Sequence, residues 1–246
     1  EPSPEVLPEL LQKIKSGKYD LGLANDGDAD RFGVLDPGGR YITANELISI
    51  LMDYLAGTRR EKGSVVRTVA TTLMVDRIAA SRKMPVRETG VGFKYIAEAF
   101  SKEKSLIGGE ESGGLSLGYH LPEKDGILAC LLAAEVMAAT GKTLDHYLSV
   151  LEEKHGVFYS GRVDIRLDSG KAADLKKKLF DSPPAVLAGR KVLSLNRTDG
   201  LKFILDDGSW CLTRFSGTEP LARWYAESTT PENLEALLAE GRRLFG

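Results

Sequence analysis

The feature that most constrains the fold is an alternation of two kinds of segment within residues 64–109. Short apolar segments, typical of buried strands, occur at 65–69, near Val86 and at 105–107. Segments with apolar residues at helical spacing separate them, at 73–80 and 93–100. Because helices of about ten residues connect successive strands, this part of the chain predicts a mainly parallel sheet that is covered on both faces.

Further helices and strands are predicted on both sides of this region. They are a helix over 6–14, strands over 20–24 and 31–35, a helix capped by Thr43 and Glu46, and a helix over 127–139. The last of these segments is apolar nearly all round, which predicts a deeply buried helix.

The pattern changes after Gly156, where we place a domain boundary. A strand, a charged helix, three further strands and a final helix are predicted at 163–167, 172–180, 201–205, 210–215, 222–227 and from Thr230 onwards. This order predicts an antiparallel sheet. The predicted fold class is therefore a mixed, mainly parallel α/β domain followed by an α+β C-terminal domain with an antiparallel sheet.

Composition excludes several classes of protein. The chain has 246 residues and a formal net charge of -2, which is too little positive charge for a dedicated nucleic-acid binder. No apolar run approaches the ~18 residues of a membrane span, and no charged-then-apolar leader is present. Cys130 and Cys211 lie in separate apolar stretches, so we expect buried, unreactive thiols in a reducing compartment. These features predict a cytoplasmic protein that binds neither nucleic acid nor membranes.

Three aspartates at alternate positions, Asp26, Asp28 and Asp30, follow the predicted strand 20–24 in a segment that we call the aspartate loop (Asp26–Arg31). Their combined charge of about -3 would cost several kcal/mol of self-repulsion without a compensating cation. Carboxylate oxygens favour Mg²⁺ or Ca²⁺. An EF-hand is excluded, because Arg31 stands where that motif needs glycine and Pro37 where it needs glutamate. A metal site is therefore favoured over a solvated acidic turn.

A glycine-rich loop (Gly108–Gly114) follows the last strand of the alternating region and contains two acids and a serine. Glycine lets a ligand approach the backbone closely, and Glu110 and Ser112 can together bind neighbouring sugar hydroxyls. Glycine-rich turns are common, so this loop by itself would favour an ordinary turn.

An arginine loop (Arg214–Pro220) lies in the C-terminal region, with Arg223 close behind it. A guanidinium fork, the hydroxyls of Ser216 and Thr218, and backbone N–H groups near Gly217 suit a phosphate group. The loop lacks the Gly-Lys-Ser/Thr ending of a Walker motif. Considered alone, a polar hairpin turn explains it equally well.

Together, the three loops resemble the α-D-phosphohexomutase family, which includes phosphoglucomutases and phosphomannomutases. The aspartate loop resembles the family's metal loop, the glycine-rich loop its sugar-recognition loop, and the arginine loop its phosphate-binding loop. Three motifs in this order are far more specific than any one of them, and the resemblance covers nearly the whole chain. The Glu-Glu-Ser sequence and Glu123–Gly126 resemble phosphoglucomutase-type members more than the phosphoglucosamine branch.

The resemblance implies an enzyme that interconverts hexose 1-phosphate and hexose 6-phosphate through a phosphoserine and a bound hexose 1,6-bisphosphate. It implies Mg²⁺ held by the three aspartates, with Arg31 supporting that site. Glu110, Ser112 and Lys124 would bind the sugar phosphate. Arg31 and Lys94 would be catalytic residues, and Lys94 would line the active site. The implied ligands of the phosphate that is not reacting are Arg214, Ser216, Gly217, Thr218 and Arg223. No residue is selected as the general base.

The resemblance also implies that this is the C-terminal part of a longer protein. Family members have four domains, and their phosphoserine lies in a Ser-His motif of the first, whereas no Ser is followed by His here. The implied content is the end of domain two (1–40), domain three (41–155) and domain four (156–246), without mutase activity of its own. Implied partners are sugar phosphates and the N-terminal domains of the same protein. The alternatives are a sugar-phosphate-binding module without catalysis and a pair of structural domains stabilised by Ca²⁺.

Overall fold

The alternating segment forms the sheet that the sequence predicts, in the first of two units. The computed structural model describes residues 1–168, 172–216 and 219–245, and the units are Glu1–Gly156 and Val157–Gly246. The strands of the first unit are β1 (Gly22–Asn25), β2 (Phe32–Leu35), β3 (Tyr41–Ile42), β4 (Ser64–Thr68), β5 (Val86–Thr89), β6 (Ser105–Gly109) and β7 (Leu115–Leu117). Its helices are α1 (Pro8–Lys15), α2 (Ala44–Gly57), α3 (Met74–Ser81), α4 (Phe93–Lys102), α5 (Gly126–Thr140) and α6 (Leu144–His155), and a 3-10 turn spans Pro4–Val6.

The main sheet of this unit has the strand order β5-β4-β6-β7. Strand β4 is parallel to both β5 and β6, whereas β7 is antiparallel to β6. Val65, Val66 and Ile107 are fully buried, as expected for strands covered on both faces. The sequence did not predict β7, because its three residues follow a glycine-rich segment directly.

A smaller antiparallel sheet, β1-β2-β3, lies next to the N-terminus of the unit. Strands β1 and β2 form a hairpin in which Asn25 pairs with Phe32, so the aspartate loop is the connection between them. Helix α2 begins with the predicted capping box. The Glu46 N–H donates to Thr43 Oγ1 at 3.3 Å, and the Thr43 N–H donates to Glu46 Oε2 at 2.8 Å.

The prediction that the whole of α5 is deeply buried was wrong for one side of the helix. Ala129, Ala133 and Val136 are fully buried, but Ile127 is 54% exposed and Leu131 is 63% exposed. The helix packs with one face against β1, β2 and β7. Uniform hydrophobicity shows that a helix lacks a polar face, but it does not show how many faces have a packing partner.

The second unit contains the predicted antiparallel sheet. Its elements are β8 (Tyr159–Arg166), α7 (Ala172–Asp181), β9 (Val186–Leu187), β10 (Arg190–Asn196), β11 (Leu201–Leu205), β12 (Trp210–Phe215), β13 (Leu221–Ser228) and α8 (Pro231–Phe245). The strand order is β8-β13-β12-β11-β10-β9, and every neighbouring pair is antiparallel. Phe203, Trp224 and Leu237 are fully buried in its core. The fold class is the predicted one, although β9 and β10 were not predicted.

Both cysteines are free and buried, as the sequence predicts. Burial raises the pKa of the Cys130 thiol to about 11, and burial also raises the pKa of Cys211. Such thiols are unreactive at neutral pH because the nucleophilic thiolate is scarce.

Within the described residues, no single helix has the length and apolar character needed to cross a membrane. The pair α5 and α6, which is bent by 80°, passes that test only when the two helices are taken together.

Candidate functional site

The aspartate loop is held by hydrogen bonds that turn its carboxylates toward one another. The Arg31 N–H donates to Asp26 Oδ1 at 3.1 Å, and the Ala29 N–H donates to the Asp26 carbonyl at 3.0 Å. Ala29 has a φ of 58°, a left-handed conformation that tightens the turn. One oxygen from each of Asp26, Asp28 and Asp30 lies within 4.8 Å of the other two. The structure therefore brings the three predicted metal ligands together.

The donor set fits a hard divalent cation. Three carboxylates supply oxygen ligands, and the site is accessible because Asp28 is exposed while Asp26 and Asp30 are half-buried. Partial burial acts to raise the pKa of Asp26, but the backbone N–H and the positive charge of Arg31 outweigh it, so this pKa is lowered. Asp26 is consequently ionised and available as a ligand at neutral pH.

Two cations offset part of the charge of the aspartate loop. Arg31 Nε lies 3.7 Å from Asp26 Oδ2 and 3.8 Å from Asp30 Oδ1, and Lys124 Nζ lies 2.5 Å from Asp30 Oδ2. Arg31 also lies 3.4 Å from Glu1 Oε1. Three carboxylates against two cations leave an excess of negative charge at the loop, which a bound metal ion would neutralise.

The glycine-rich loop connects β6 to β7 beside the aspartate loop. Its turn is closed by the Glu110 N–H, which donates to the Gly114 carbonyl at 2.9 Å, and Arg31 forms an isolated antiparallel bridge with Gly114. A Cβ atom on Gly114 would lie 2.7 Å from Glu110 Oε1, so the carboxylate lies over a position that only glycine leaves open. Ser112 donates a hydrogen bond to Glu110, which brings the two predicted sugar ligands together.

Glu110 is a buried carboxyl, only 8% exposed. Burial raises its pKa, and this effect is only partly opposed by the Ser112 hydroxyl, the charges of Lys124 and Arg31, and the Gly92 N–H. The same interactions show that the aspartate loop, the glycine-rich loop and the N-terminal end of α4 meet around one carboxyl group.

Lys124 belongs to a third segment, which crosses between the two loops. The Gly126 N–H donates to the Ala29 carbonyl at 3.0 Å, and the Asp125 N–H donates to the Leu115 carbonyl at 2.8 Å. Asp125 also caps α5, because its Oδ1 accepts from the Leu128 N–H at 2.8 Å. His120 Nε2 lies 2.9 Å from Asp125 Oδ2 at the exposed rim. These contacts hold Lys124 next to Asp30.

Lys94 is placed differently from the other predicted residues. It is exposed at the start of α4, and its Nζ lies 4.9 Å from the centroid of the Tyr95 ring. The backbone of this helix start reaches Glu110 through Gly92. The start of α4 therefore lies next to the candidate site, as predicted for Lys94. The ammonium group of Lys94 itself lies over the Tyr95 ring.

A group of buried polar residues at the end of β4 was not singled out from the sequence. Thr68 Oγ1 donates to Glu111 Oε2 at 3.2 Å and lies 3.0 Å from Thr71 Oγ1, while the Thr72 N–H donates to Asn45 Oδ1 at 3.2 Å. Ligands of parallel sheets bind beyond the carboxyl ends of strands. The polar Thr-Val-Ala-Thr-Thr segment at the end of β4 could therefore have been identified from the sequence.

The arginine loop lies in the second unit, between β12 and β13. Arg214 and Arg223 occupy directly paired positions on these two strands. Arg214 Nε donates to Asp199 Oδ2 at 2.9 Å, and Arg223 Nε lies 3.9 Å from Asp164 Oδ2. The Glu219 N–H donates to Ser216 Oγ at 3.2 Å. Gly217 and Thr218, which were predicted as phosphate ligands, lie outside the described residues.

Three models of one family match consecutive parts of the chain. They describe phosphoglucomutase/phosphomannomutase alpha/beta/alpha domain II (residues 1–39), alpha/beta/alpha domain III (residues 43–154) and the C-terminal domain (residues 167–244). A phosphoglucomutase/phosphomannomutase of Thermococcus kodakarensis is 32% identical over 247 residues, which cover 100% of this chain and 51% of that protein.

Solved structures give the same picture of the fold. The crystal structure of a "putative phosphomannomutase" from Thermus thermophilus has a TM-score of 0.82 and 35% identity, covering 99% of this chain and 50% of that one. Aspergillus fumigatus N-acetylphosphoglucosamine mutase in complex with GlcNAc-6P and magnesium has a TM-score of 0.60 and 15% identity, over 90% of this chain and 51% of that one. This last likeness concerns the fold alone. The chain thus spans about half the length of the relatives that it matches.

Proposed function

Because the chain belongs to the phosphoglucomutase/phosphomannomutase family, we propose that it supplies the metal, sugar and phosphate loops of an enzyme that interconverts hexose 1-phosphate and hexose 6-phosphate. The observation that supports this most is the convergence of three aspartates, Lys124 and Glu110 on one side of the first unit. An acidic metal loop next to a buried carboxyl and a lysine suits a substrate that carries both phosphate and hydroxyl groups.

The aspartate loop is proposed to hold Mg²⁺ through Asp26, Asp28 and Asp30. A bound Mg²⁺ would neutralise charge on a transferring phosphoryl group. Carboxylate oxygens suit both Mg²⁺ and Ca²⁺, and the resemblance to phosphohexomutases is what favours Mg²⁺ here. Arg31 orders the loop through its backbone N–H and its guanidinium, and Lys124 holds Asp30 in place. Both residues thus position the metal ligands.

Glu110 and Ser112 are proposed to bind the ring hydroxyls of the sugar. Glu110 can accept a hydrogen bond from a sugar hydroxyl. Ser112 donates a hydrogen bond to Glu110 and thereby orients its carboxylate. A buried carboxyl gains more from such a bond than an exposed one, since water does not compete for it. Glucose and mannose differ at position two, so a pair that binds the hydroxyls at positions three and four would accept both sugars.

The arginine loop is proposed to bind the phosphate group that is not reacting. Arg214 and Arg223 present two guanidinium groups from paired positions of β12 and β13, and Ser216 adds a hydroxyl. Paired guanidinium groups recognise phosphate through charge-assisted hydrogen bonds and carry no information about the sugar.

The mutase reaction needs a phosphoserine, for which the resemblance implies a Ser-His motif that this chain does not contain. We therefore propose that the chain alone binds hexose phosphates and hexose 1,6-bisphosphate without converting them. A cytoplasmic location is also proposed, and the two free thiols support it.

Two measurements test these proposals. The purified chain is incubated with glucose 1-phosphate, Mg²⁺ and a trace of glucose 1,6-bisphosphate, and glucose 6-phosphate is measured with a coupled dehydrogenase. Calorimetry with the same compounds measures binding. We expect binding without turnover. Turnover above a protein-free control would contradict the proposed inactivity, whereas absence of binding would contradict the assignment of the loops. The same assay on a longer protein that contains this chain separates the mutase from the binding module.

A further inference from the structure

A groove of about 700 Å³ lies in the first unit at the amino ends of the parallel strands β4, β5 and β6, whereas Glu110 follows the carboxyl end of β6. Its lining includes the residues that precede β4, β5 and β6, whereas the glycine-rich loop follows the carboxyl end of β6. Ligands of parallel sheets normally bind beyond the carboxyl ends of the strands. The groove is therefore separate from the site described above, and the proposed mutase function assigns it no role.

Three lysines that line the groove precede three adjacent strands. Lys83 lies before β5, Lys62 before β4 and Lys104 before β6, and the strand order is β5-β4-β6. The Ser64 N–H donates to the Lys104 carbonyl at 3.0 Å, which aligns the starts of β4 and β6. Because neighbouring strands lie about 4.8 Å apart, these lysines form a cluster rather than a scatter of surface charges.

The acidic residues of the groove do not neutralise this cluster. Glu61 Oε1 lies 2.7 Å from Arg59, and Glu103 Oε1 lies 2.6 Å from Arg87, neither of which lines the groove. Among the described residues, no carboxylate lies within ion-pair distance of the three lysines. The groove therefore has an excess of positive charge, which attracts anions.

The backbone at Lys83 is a further unusual feature of the groove. Lys83 has a φ of 55° and follows Arg82, the C-cap of α3, at a position where many helices have glycine. A lysine in this conformation places a long cationic side chain at the groove, which glycine would not provide. The concave shape and limited volume favour a small molecule over a flat macromolecular partner.

We propose that this groove binds a small anion that carries at least two phosphoryl groups, with Lys62, Lys83 and Lys104 as its ligands. Three separate ammonium groups can contact a diphosphate at once, whereas a single phosphate reaches fewer of them.

The test is calorimetric titration of the chain with pyrophosphate at physiological salt, with EDTA present so that metal at the aspartate loop plays no part. The variant Lys62→Gln/Lys104→Gln is compared with Lys13→Gln/Lys142→Gln, in which two exposed lysines outside the groove are changed. Both variants lower the net charge equally. Losing two exposed charge-assisted contacts should weaken binding by about tenfold in the groove variant, and the control should bind like the wild type.

Several results would overturn the proposal. Equal weakening in both variants would mean that net charge alone attracts the anion. Weakening by Arg214→Ala without any effect of the groove variant would place the anion in the second unit. Equal affinity for orthophosphate and pyrophosphate would remove the requirement for two phosphoryl groups. Binding of a duplex oligonucleotide, with none of pyrophosphate, would make the groove a nucleic-acid surface.

Discussion

Arg31 and Gly114 form an isolated antiparallel bridge that joins the aspartate loop to the glycine-rich loop. The bridge extends the β1–β2 hairpin toward β7 and places the charged end of one loop beside the buried carboxyl of the other. The Gly126 N–H donates to the Ala29 carbonyl at 3.0 Å, which joins the segment that contains Lys124 to the aspartate loop. The candidate site thus depends on backbone contacts between segments that are distant in the chain.

Asp28→Asn should weaken Mg²⁺ binding by at least about tenfold, because one of three charged ligands is lost. Calorimetric titration measures this effect. Asp20→Asn, which changes an exposed carboxylate outside the cluster, is the matched control and should leave the affinity unchanged. Without metal, Asp28→Asn should not destabilise the chain, since it removes repulsion between like charges. An unchanged Mg²⁺ affinity would place the cation elsewhere.

Gly126→Ala should destabilise the chain, although alanine is the better helix former. The new Cβ would lie 2.3 Å from the Arg31 carbonyl oxygen and 2.5 Å from Asn25 Nδ2, so the backbone contact between two segments must open. Overpacking of this kind costs about 1–3 kcal/mol of unfolding free energy, measured by urea denaturation. Gly38→Ala has no atom within 4 Å of its new Cβ and is the control. Similar stability of the two variants would refute the close approach.

The loss of unfolding free energy caused by Glu110→Gln, relative to the wild type, should become smaller as pH rises. Burial raises the pKa of Glu110 in the folded state above its unfolded value. Its contribution to stability is therefore complete below the unfolded pKa and is lost as pH rises through the folded pKa. Urea denaturation between about pH 4 and pH 8, with a chelator present, measures the difference between the two proteins. Glu9→Gln is the control, and parallel pH profiles for all three proteins would contradict the prediction.

Arg67→Met should destabilise the chain much more than Arg87→Met. Arg67 is 5% exposed and pairs with Asp76 and Glu88, each at 2.6 Å, so its loss removes a guanidinium group from both carboxylates. Both partners are about one-third exposed or less, which limits the cost to roughly 2–4 kcal/mol. Arg87 pairs with Glu103 at the surface, where such a pair contributes about 1 kcal/mol or less. Equal losses of unfolding free energy would show that burial does not determine the cost.

Arg214→Ala should weaken the binding of glucose, mannose and galactose phosphates alike. Every one of these ligands presents the same phosphate, and losing one charge-assisted contact costs about ten- to a hundredfold in affinity. Glu110→Ala should instead weaken glucose and mannose phosphates equally and galactose phosphate less, because the first two share their hydroxyls at positions three and four. Calorimetric Kd values for the three ligands decide the matter, with Arg243→Ala on α8 as the control. The opposite pattern would reverse the assignment of the two loops.

The local features of this protein are determined by its sequence. The alternation of apolar and amphipathic segments predicted the parallel strands β4, β5 and β6, and Thr43 with Glu46 predicted the start of α2. The alternate spacing of three aspartates predicted the carboxylate cluster. The capping box and the carboxylate cluster depend on interactions within a few residues, and the strand and helix segments show a local period, so a local pattern records them directly.

Other features were decided only by the tertiary structure. The exposure of Ile127 and Leu131 depends on which faces of α5 have a partner, and β7 exists because β6 offers it a free edge. The proximity of Lys124 to Asp30 follows from the hydrogen bond between Gly126 and Ala29. Periodicity shows which side of an element is apolar, but the choice of partner depends on the packing of the whole unit, so no local pattern contains it.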